Sequence, residues 1–195
     1  MKEVQIIPLD KFVENALYNE NYGYYSKKNP FGKSGDYVTA PNISFLFSEM
    51  IAIWIISYWE NLQKPKKFNI VELGPGNGDL CKVLIKTFKN FPDFYKNVKI
   101  FLYERSKYLQ KIQKNKIKER KVSWLKNIND IKSGPVLFFG NEFFDAIPIK
   151  QFKIDKKKVY EKYLSGNKKN KAKIILKKAK KKTLFKLKKF GLFNN

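Results

Sequence analysis

Three glycines alternate with other residues in one short segment of the chain. The segment reads Glu72-Leu73-Gly74-Pro75-Gly76-Asn77-Gly78 and continues an apolar, β-branched run that begins at residue 68. Glycines at these positions let the backbone turn sharply and approach a ligand closely, since no Cβ stands in the way. A helix predicted to begin after Gly78 presents unpaired backbone N–H groups to the same place. We therefore predict a ligand site at this strand-to-helix turn.

A second acidic residue, Glu104, ends the next predicted strand, VKIFLYE at 98–104. Because parallel strands end at the same edge of a sheet, Glu104 is expected beside the glycines. Its carboxylate can accept hydrogen bonds from two ribose hydroxyls, while the loop N–H groups face a methionine carboxylate and Glu72 its amino group. This pattern predicts S-adenosyl-L-methionine as the cofactor. The predicted cofactor-binding residues here are Glu72, Gly74, Pro75, Gly76, Asn77, Gly78 and Glu104.

Other interpretations of the same residues stay open. A phosphate-binding P-loop requires GxxxxGK[ST], but no lysine follows Gly78, and FGKSG at 31–35 has Lys27 where the first glycine belongs. A dinucleotide-binding loop follows GxGxxG, and here the third glycine comes one residue early. A plain tight turn would need only one glycine. Glu104 could instead be a strand-end acid paired with Arg105 or Lys107.

Composition limits the chemistry. The chain has no histidine and one cysteine, so Ser-His-Asp catalysis is excluded and no metal is expected. Cys81 lies among apolar helix positions and is predicted to be a buried structural thiol. The most apolar run, 50–56, is far shorter than the roughly 20 residues that cross a bilayer. With no secretory or transit pattern at the first residues, we expect a cytoplasmic protein without a membrane span.

The formal net charge is +24, but only Arg105 and Arg120 among the 41 basic residues are arginine. Nucleic-acid surfaces use arginine for bidentate and stacking contacts, so the lysine dominance argues against nucleic acid as a partner. The charge is also uneven, since residues 153–195 contain 17 lysines against Asp155 and Glu161. We interpret this part as a solvated charge run.

Strand and helix patterns alternate along the chain, which predicts an α/β fold with a mostly parallel sheet. The predicted strands lie at 68–74, 98–104, 121–125 and 135–144, with a hairpin after Pro148. Helices are predicted at 8–20, 44–62 and 105–118, and after Gly78. The helix at 44–62 is expected to be largely buried through Phe45, Phe47, Met50, Ile51, Trp54, Ile55 and Tyr58. Trp124 and Leu125, at the end of the third strand, could flank an adenine or pack in the core.

Four motifs in order carry a family resemblance: GYYS at 23–26, FGKSGDYVTAPNIS at 31–44, VELGPGNGDL at 71–80 and NEFFDAIP at 141–148. Together they resemble the MidA-like methyltransferases, a class I S-adenosylmethionine-dependent family. Mitochondrial members of that family are assigned arginine methylation on a respiratory complex I subunit. The resemblance covers residues 5 to about 152. It implies a Rossmann-like class I methyltransferase fold and a protein substrate, by analogy a respiratory complex subunit.

The resemblance also implies residue roles. In the family the GD(F/Y)xTAP segment folds over the cofactor site, which here corresponds to Gly35, Asp36, Thr39, Ala40 and Pro41. The family usually has Glu after that proline, and this chain has Asn42. Class I enzymes place acceptor-binding groups at the end of the fourth strand. The residues there are Asn141, Glu142 and Asp145, which are candidates for substrate-side catalytic residues, or else for strand-end capping.

The expected organisation has three parts. These are an N-terminal helical and loop extension at 1–62, a Rossmann-like core at 63–164 and a lysine-rich tail at 165–195 that is a candidate for disorder. The family continues beyond this length, so we expect a fold shortened on its C-terminal side, with a partner chain as one way to complete the sheet. Two other functions stay open: a non-catalytic relative that binds the cofactor or assists assembly, and a polyanion binder acting through the lysines.

Overall fold

A computed structural model gives the fold, and it describes residues 5–27, 29–32, 35–37, 44–166 and 172–192. The chain forms two compact units, one made of Tyr18–Ala146 and the other of Met1–Leu17 with Ile147–Asn195. This division differs from the predicted boundaries near residues 62 and 164. The physical reason is that a strand near the start of the chain pairs with a strand near its end, which joins both ends in one unit.

The strands are β1 (Gln5–Pro8), β2 (Phe68–Leu73), β3 (Val98–Tyr103), β4 (Val122–Trp124), β5 (Val136–Phe139), β6 (Phe152–Asp155), β7 (Lys158–Gly166) and β8 (Lys173–Lys178). The helices are α1 (Leu9–Tyr18), α2 (Tyr24–Lys27), α3 (Phe45–Asn61), α4 (Asp79–Phe88), α5 (Pro92–Asn97), α6 (Lys107–Lys116) and α7 (Lys181–Lys189). Short 3-10 turns lie at Ile128–Asp130 and Phe144–Ala146.

The unit Tyr18–Ala146 is built on a parallel sheet with the strand order β4-β3-β2-β5. In the centre, β2 pairs in parallel with β3 on one side and with β5 on the other. The α/β prediction is confirmed, although the fourth predicted strand, 135–144, is shorter and ends at Phe139. Because all four strands run in one direction, the residues that follow β2, β3 and β5 lie at one edge of the sheet.

The core of this unit lies between the parallel sheet and its helices. On α4, the buried side chains include Leu80, Cys81, Leu84 and Phe88, and they join buried side chains of β2 and β3 in one cluster. Cys81 is fully buried, and burial raises the pKa of its thiol well above the ordinary value. The prediction of a buried structural thiol is therefore confirmed.

Helix α3 packs on α4, but through a different face from the predicted one. Its buried residues are Ser48, Ala52, Ile55, Ile56 and Trp59, whereas Phe45, Met50, Trp54 and Tyr58 are exposed. The prediction of a largely buried helix was wrong on this point. Apolar residues surround α3 on all sides, so periodicity could not select a face. The small side chains of Ser48 and Ala52 allow close packing there.

The other unit contains an antiparallel sheet in which β7 pairs with β1, β6 and β8. The predicted hairpin after Pro148 is confirmed as β6 and β7. The lysine-rich tract is not without regular structure, because residues 173–178 form β8 and residues 181–189 form α7. The tract also contains apolar residues, among them Ile175 and Ala179, whose side chains allow a strand to pack. The abundance of lysine hid this strand in the sequence.

Candidate cofactor site

The glycine segment, residues 74–78, connects β2 to α4 as the sequence predicted. Gly74, Gly76 and Gly78 have φ values of +63°, +53° and +77°, in the left-handed region that favours glycine. The N–H of Gly78 donates to the carbonyl of Pro75 at 2.7 Å, which closes the turn. Gly78 is also the N-cap of α4, so the first N–H groups of that helix lie beside the turn.

Two aromatic rings lie against this segment. A Cβ added at Gly74 would lie 2.8 Å from the ring of Phe143, and one added at Gly76 would lie 3.3 Å from the ring of Phe31. The segment that follows β5 and the segment around Phe31 therefore both contact the glycine segment. Sequence reasoning missed these two rings, since only the tertiary fold brings them there.

Glu72, in β2 just before the glycine segment, is 3% exposed. Burial raises the pKa of its carboxyl from 4.5 to about 8, and the nearby charges of Asp79 and Glu104 act in the same direction. Its Oε2 atom has no hydrogen-bond partner among the residues that the structure describes, and the same holds for Oδ1 of Asn77. Buried polar atoms are normally hydrogen-bonded. Two buried acceptors beside one turn fit a ligand that carries an ammonium group, as the amino-acid part of S-adenosylmethionine does.

Glu104 follows β3 directly and lies at the same sheet edge. Its carboxylate accepts a hydrogen bond from the N–H of Ser106 at 2.8 Å and one from Nε2 of Gln113 at 3.4 Å. Burial raises the pKa of Glu104, although both hydrogen bonds act in the opposite direction. Lys107 instead forms an exposed ion pair with Glu20 at 2.7 Å. Of the two basic residues offered as partners of Glu104, Lys107 therefore pairs with a different acid.

Gln113 of α6 was missed in the sequence although it lies at the centre of this site. Its side chain is fully buried. Nε2 donates to the carbonyl of Gly76 at 2.8 Å, and Oε1 accepts from Nε1 of Trp124 at 2.9 Å. A signal was present, because Leu109, Gln113 and Ile117 form one buried stripe at four-residue spacing, and an amide is unusual there.

The described part of the N-terminal loop, residues 23–37, packs against the same edge. Ser106 Oγ donates to the carbonyl of Tyr25 at 2.6 Å, and Nδ2 of Asn77 donates to the carbonyl of Phe31 at 3.3 Å. The rings of Tyr25 and Phe31 stack, with their centroids 6.2 Å apart and an interplanar angle of 14°. The described residues of this loop are therefore packed on the unit Tyr18–Ala146.

The GD(F/Y)xTAP residues are only partly described. A Cβ at Gly35 would lie 2.4 Å from the carbonyl oxygen of Pro30, so this close turn requires glycine. Asp36 accepts a hydrogen bond from the hydroxyl of Tyr24. Thr39, Ala40, Pro41 and Asn42 lie outside the described residues.

The three substrate-side candidates follow β5 as predicted, so they lie beyond the same sheet edge. Asn141 is partly buried, and Glu142 and Asp145 are exposed. Glu142 has a φ of +53°, a strained value for a residue with a side chain. The pKa of Tyr25 is raised mainly by burial and, to a smaller extent, by interactions with Tyr37, Glu104 and Asp145. The catalytic roles of these residues stay a prediction.

Each of the two units contains a cavity. One cavity, of about 380 Å³, is lined by Tyr18, Glu20, Ser26, Arg105, Ser106, Lys107 and Tyr108. Another of about 490 Å³ lies within the antiparallel unit and is lined by Lys157, Lys158, Val159, Lys178, Lys181, Leu184, Phe185 and Lys188. All five of its lysines are exposed, as expected for a solvated charge run.

Within the described ranges, no group of three or more Cys, Asp or Glu side chains could hold a metal ion. In that same part of the chain, no helix is both long and apolar enough to cross a membrane.

A parallel sheet that carries a glycine turn after its central strand, and an acid after the neighbouring strand, defines a Rossmann-like fold of the class I methyltransferase type. A sequence model for the family described as "Putative S-adenosyl-L-methionine-dependent methyltransferase" matches residues 50–191. The chain belongs to this family. The Rossmann-like fold agrees with that of a Burkholderia thailandensis protein whose crystal structure contains S-adenosyl-homocysteine. The TM-score is 0.73 at 23% identity, over 94% of this chain and 49% of that one.

Curated relatives extend the comparison. The mitochondrial protein arginine methyltransferase NDUFAF7 of Xenopus laevis is 34% identical over 76% of this chain and 40% of its own length. The Drosophila melanogaster homologue is 31% identical over 76% of this chain and 39% of its own length. The human protein is 30% identical over 78% of this chain and 40% of its own length. The chain thus spans about 40% of the length of these relatives.

Proposed function

We propose that this chain binds S-adenosylmethionine at the glycine segment and acts as a methyltransferase on a protein side chain, specifically arginine. The observation that carries the proposal is the buried Glu72 carboxyl at the base of a turn that holds three left-handed glycines. One oxygen of that carboxyl has no hydrogen-bond partner among the described residues. The family of the chain supports the cofactor. The names of the curated relatives support the arginine acceptor.

Each part of the cofactor has a residue of matching chemistry. The N–H groups at the start of α4 suit a carboxylate, because the N-terminal end of a helix carries partial positive charge. Glu72 suits the ammonium group, and Glu104, as a hydrogen-bond acceptor, suits ribose hydroxyls. Trp124, half-buried at the end of β4, offers a flat apolar surface to an adenine ring. When bound, S-adenosylmethionine supplies a methyl group carried on a positively charged sulfur.

The aromatic side chains around the glycine segment would exclude water from the reacting groups. Phe31, stacked on Tyr25, lies on one part of the turn, and Phe143 lies on another. A site without water strengthens the attraction between fixed charges and the reacting groups. Aromatic ring faces also attract positive charge.

Glu142 and Asp145 are the proposed acceptor-binding groups. A carboxylate can hold a guanidinium through paired hydrogen bonds, which directs one nitrogen toward the methyl donor. That nitrogen loses a proton as it gains the methyl group, and a neighbouring carboxylate or solvent takes the proton up. Histidine is not required for this chemistry, in agreement with its absence from the sequence.

The acceptor proposal can be tested by methyl transfer to arginine peptides, with peptides in which lysine replaces arginine as the comparison. We expect the Glu142→Gln, Asp145→Asn double variant to lose transfer by at least about tenfold, the value of one charge-assisted hydrogen bond, while it binds S-adenosylhomocysteine as the wild type does. Asp93→Asn is the matched control, because Asp93 is an exposed acid at the start of α5, before β3. Unchanged transfer in the double variant would contradict the acceptor assignment.

We also propose that a partner chain completes the parallel sheet. Among the described strands, β5 is at one edge of that sheet, and its Phe138 is 45% exposed. An exposed apolar edge strand favours pairing with another strand. Sedimentation velocity on the wild type and on Phe138→Lys tests for association there, and identical monomeric behaviour of both would argue against self-association through β5.

A further inference from the structure

We propose that Gln113 is a positioning residue for the cofactor: its amide joins the glycine segment, the ribose-binding acid and the adenine-side tryptophan in one hydrogen-bonded array. This inference rests on the proposed function, because it concerns the same site. Gln113 acts through its neighbours in this account, so it is not a catalytic residue.

The three partners of the amide belong to three separate segments. Nε2 donates to the carbonyl of Gly76, in the turn after β2, at 2.8 Å. It also donates to Oε2 of Glu104, after β3, at 3.4 Å. Oε1 accepts from the indole N–H of Trp124, at the end of β4, at 2.9 Å. One side chain thus connects the ends of three neighbouring strands.

The chemistry of these partners allows only one orientation of the amide. The indole of Trp124 can only donate, so it must face the amide oxygen. The carbonyl of Gly76 and an ionised Glu104 can only accept, so they must face the amide nitrogen. Exchanging the oxygen and the nitrogen would place acceptor against acceptor and donor against donor. The array therefore fixes Gln113, and Gln113 in turn fixes the distances between the three segments.

Packing alone does not explain an amide at this position. The neighbours of Gln113 on the buried stripe of α6 are Leu109 and Ile117, and both are apolar and buried. A leucine would fill a similar space without the cost of burying polar atoms. A buried amide whose nitrogen and oxygen are both hydrogen-bonded specifies one arrangement of its partners. That arrangement brings the glycine segment into register with Glu104 and Trp124.

The first experiment compares Gln113→Leu with Gln110→Leu. Gln110 lies on the same helix, and its Nε2 donates at 2.7 Å to the backbone carbonyl of Glu104, so the control also loses one side-chain amide bond to a neighbouring segment. Calorimetric titration with S-adenosylhomocysteine should show a Kd about 10- to 100-fold higher for Gln113→Leu, since buried partners lose their hydrogen bonds. Gln110→Leu should change the Kd by less than about threefold. Gln110 is only partly buried, so water can replace its bond, and its partner is the backbone carbonyl of Glu104 rather than the carboxylate that belongs to the array. Equal Kd values for the two variants would overturn the proposal.

The second experiment uses Gln113→Glu, which keeps the shape of the side chain. A protonated glutamate can still donate to Gly76 and accept from Trp124, whereas an ionised one can only accept. The Kd of this variant divided by that of the wild type should therefore fall at least about tenfold as the pH is lowered from about 9 to about 6. A ratio that does not depend on pH would show that only packing matters at this position, and would overturn the proposal.

Other charged groups around the amide also affect how the Kd depends on pH, and the wild-type Kd measures their effect. Glu104 contacts the amide, and Glu72 lies near enough to Glu104 to be affected by its charge. Asp79 at the start of α4 pairs with Lys116 of α6 at 2.6 Å, and Lys114 lies 5.5 Å from the centre of the Trp124 ring. These groups are present in both proteins, so dividing the two Kd values removes the part of the pH dependence that the two proteins share.

The two experiments also separate the failure of this inference from the failure of the proposed function. If the folded wild type does not bind S-adenosylhomocysteine, the proposed function fails and the inference fails with it. If the wild type binds S-adenosylhomocysteine and both Gln113 variants bind it as tightly as the wild type at every pH, only the inference fails. If Gln113→Leu does not fold, the pH series on Gln113→Glu decides the question alone.

Discussion

Glu72 and Glu104 stand at the same edge of the parallel sheet, one near the end of β2 and the other directly after β3, and the charge of Glu104 contributes to the raised pKa of Glu72. Two acids held close together and largely out of water disfavour each other's ionised form. A ligand with a positive charge and with hydroxyl groups would relieve both costs. Because the two carboxyl groups are close together, their protonation should affect both the stability of the folded chain and its affinity for a cationic cofactor.

The first prediction concerns stability against pH. The folded protein keeps the Glu72 proton up to about pH 8, while the unfolded chain releases it near the ordinary pKa of 4.5. Between these values the folded state binds more protons, so the free energy of unfolding should fall as the pH rises, by at most about 1.4 kcal/mol per pH unit. Urea denaturation of the wild type and of Glu72→Gln measures this. The Gln variant should show the flatter profile, and equal slopes would contradict the assignment to Glu72.

The second prediction concerns the proton released on binding. Because an ammonium group favours the ionised form of Glu72, S-adenosylhomocysteine should displace a proton from the wild type below pH 8. Its affinity should then rise with pH, by up to about tenfold per unit. Calorimetry in buffers of different ionisation enthalpy counts the released protons. Glu72→Gln should release fewer, and release that is unchanged in this variant would show that the proton comes from another group.

The third prediction concerns the contact of Gly74 with Phe143. Gly74→Ala places a methyl group 2.8 Å from the Phe143 ring and leaves the residue at a φ of +63°, so we expect the Kd for S-adenosylhomocysteine to rise about tenfold or more. Adding Phe143→Ala should restore part of the affinity, because the clash is removed. Gly191→Ala is the control, since Gly191 has a similar φ of +67° and no described residue lies within 4 Å of a Cβ added there. A loss of affinity that the second substitution does not relieve would argue against the clash.

The fourth prediction concerns Ser106, whose Oγ accepts from the N–H of Leu109 at 3.1 Å and donates to the carbonyl of Tyr25 at 2.6 Å. Ser106→Ala removes a helix cap together with a tie to the N-terminal loop. We expect a loss of about 1 kcal/mol in the free energy of unfolding and faster tryptic cleavage after the exposed Lys27. Asn127→Ala removes a cap that lacks this tie, so it should lower stability without changing cleavage. Equal cleavage rates in both variants would contradict the role of the Ser106–Tyr25 hydrogen bond in holding the N-terminal loop.

Part of the site was predictable because its residues are local in the sequence. Glu72 and the glycine segment are contiguous, and Glu104 ends a strand that neighbours β2, so strand periodicity and parallel pairing were enough to bring them together. Gln113, Phe31 and Phe143 were not predictable in this way. Each reaches the site from another part of the chain, through contacts that only the packed fold defines.

The errors in the fold predicted from the sequence have equally specific causes. Helix α3 is apolar on every side, so its pattern could not show that Ser48 and Ala52 lie on the buried face while Trp54 is exposed. In β8 three apolar residues, Ile174 to Leu176, stand between lysines without alternating with them, and pairing with β7 over Tyr160–Ser165 stabilises a strand that was not predicted. Tertiary context overrides a weak local preference in both cases.

The most direct test of the account is calorimetric titration of the purified chain with S-adenosylhomocysteine, repeated on Gly76→Val and Gly191→Val. Valine at Gly76 would have a φ of +53° and its side chain would press on Phe31. At Gly191, by contrast, no described residue lies within 4 Å of an added Cβ. The account predicts saturable binding by the wild type and by Gly191→Val, and a Kd at least about tenfold higher for Gly76→Val. No binding by the folded wild type, or equal binding by all three proteins, would contradict the assignment of the glycine segment as the cofactor site.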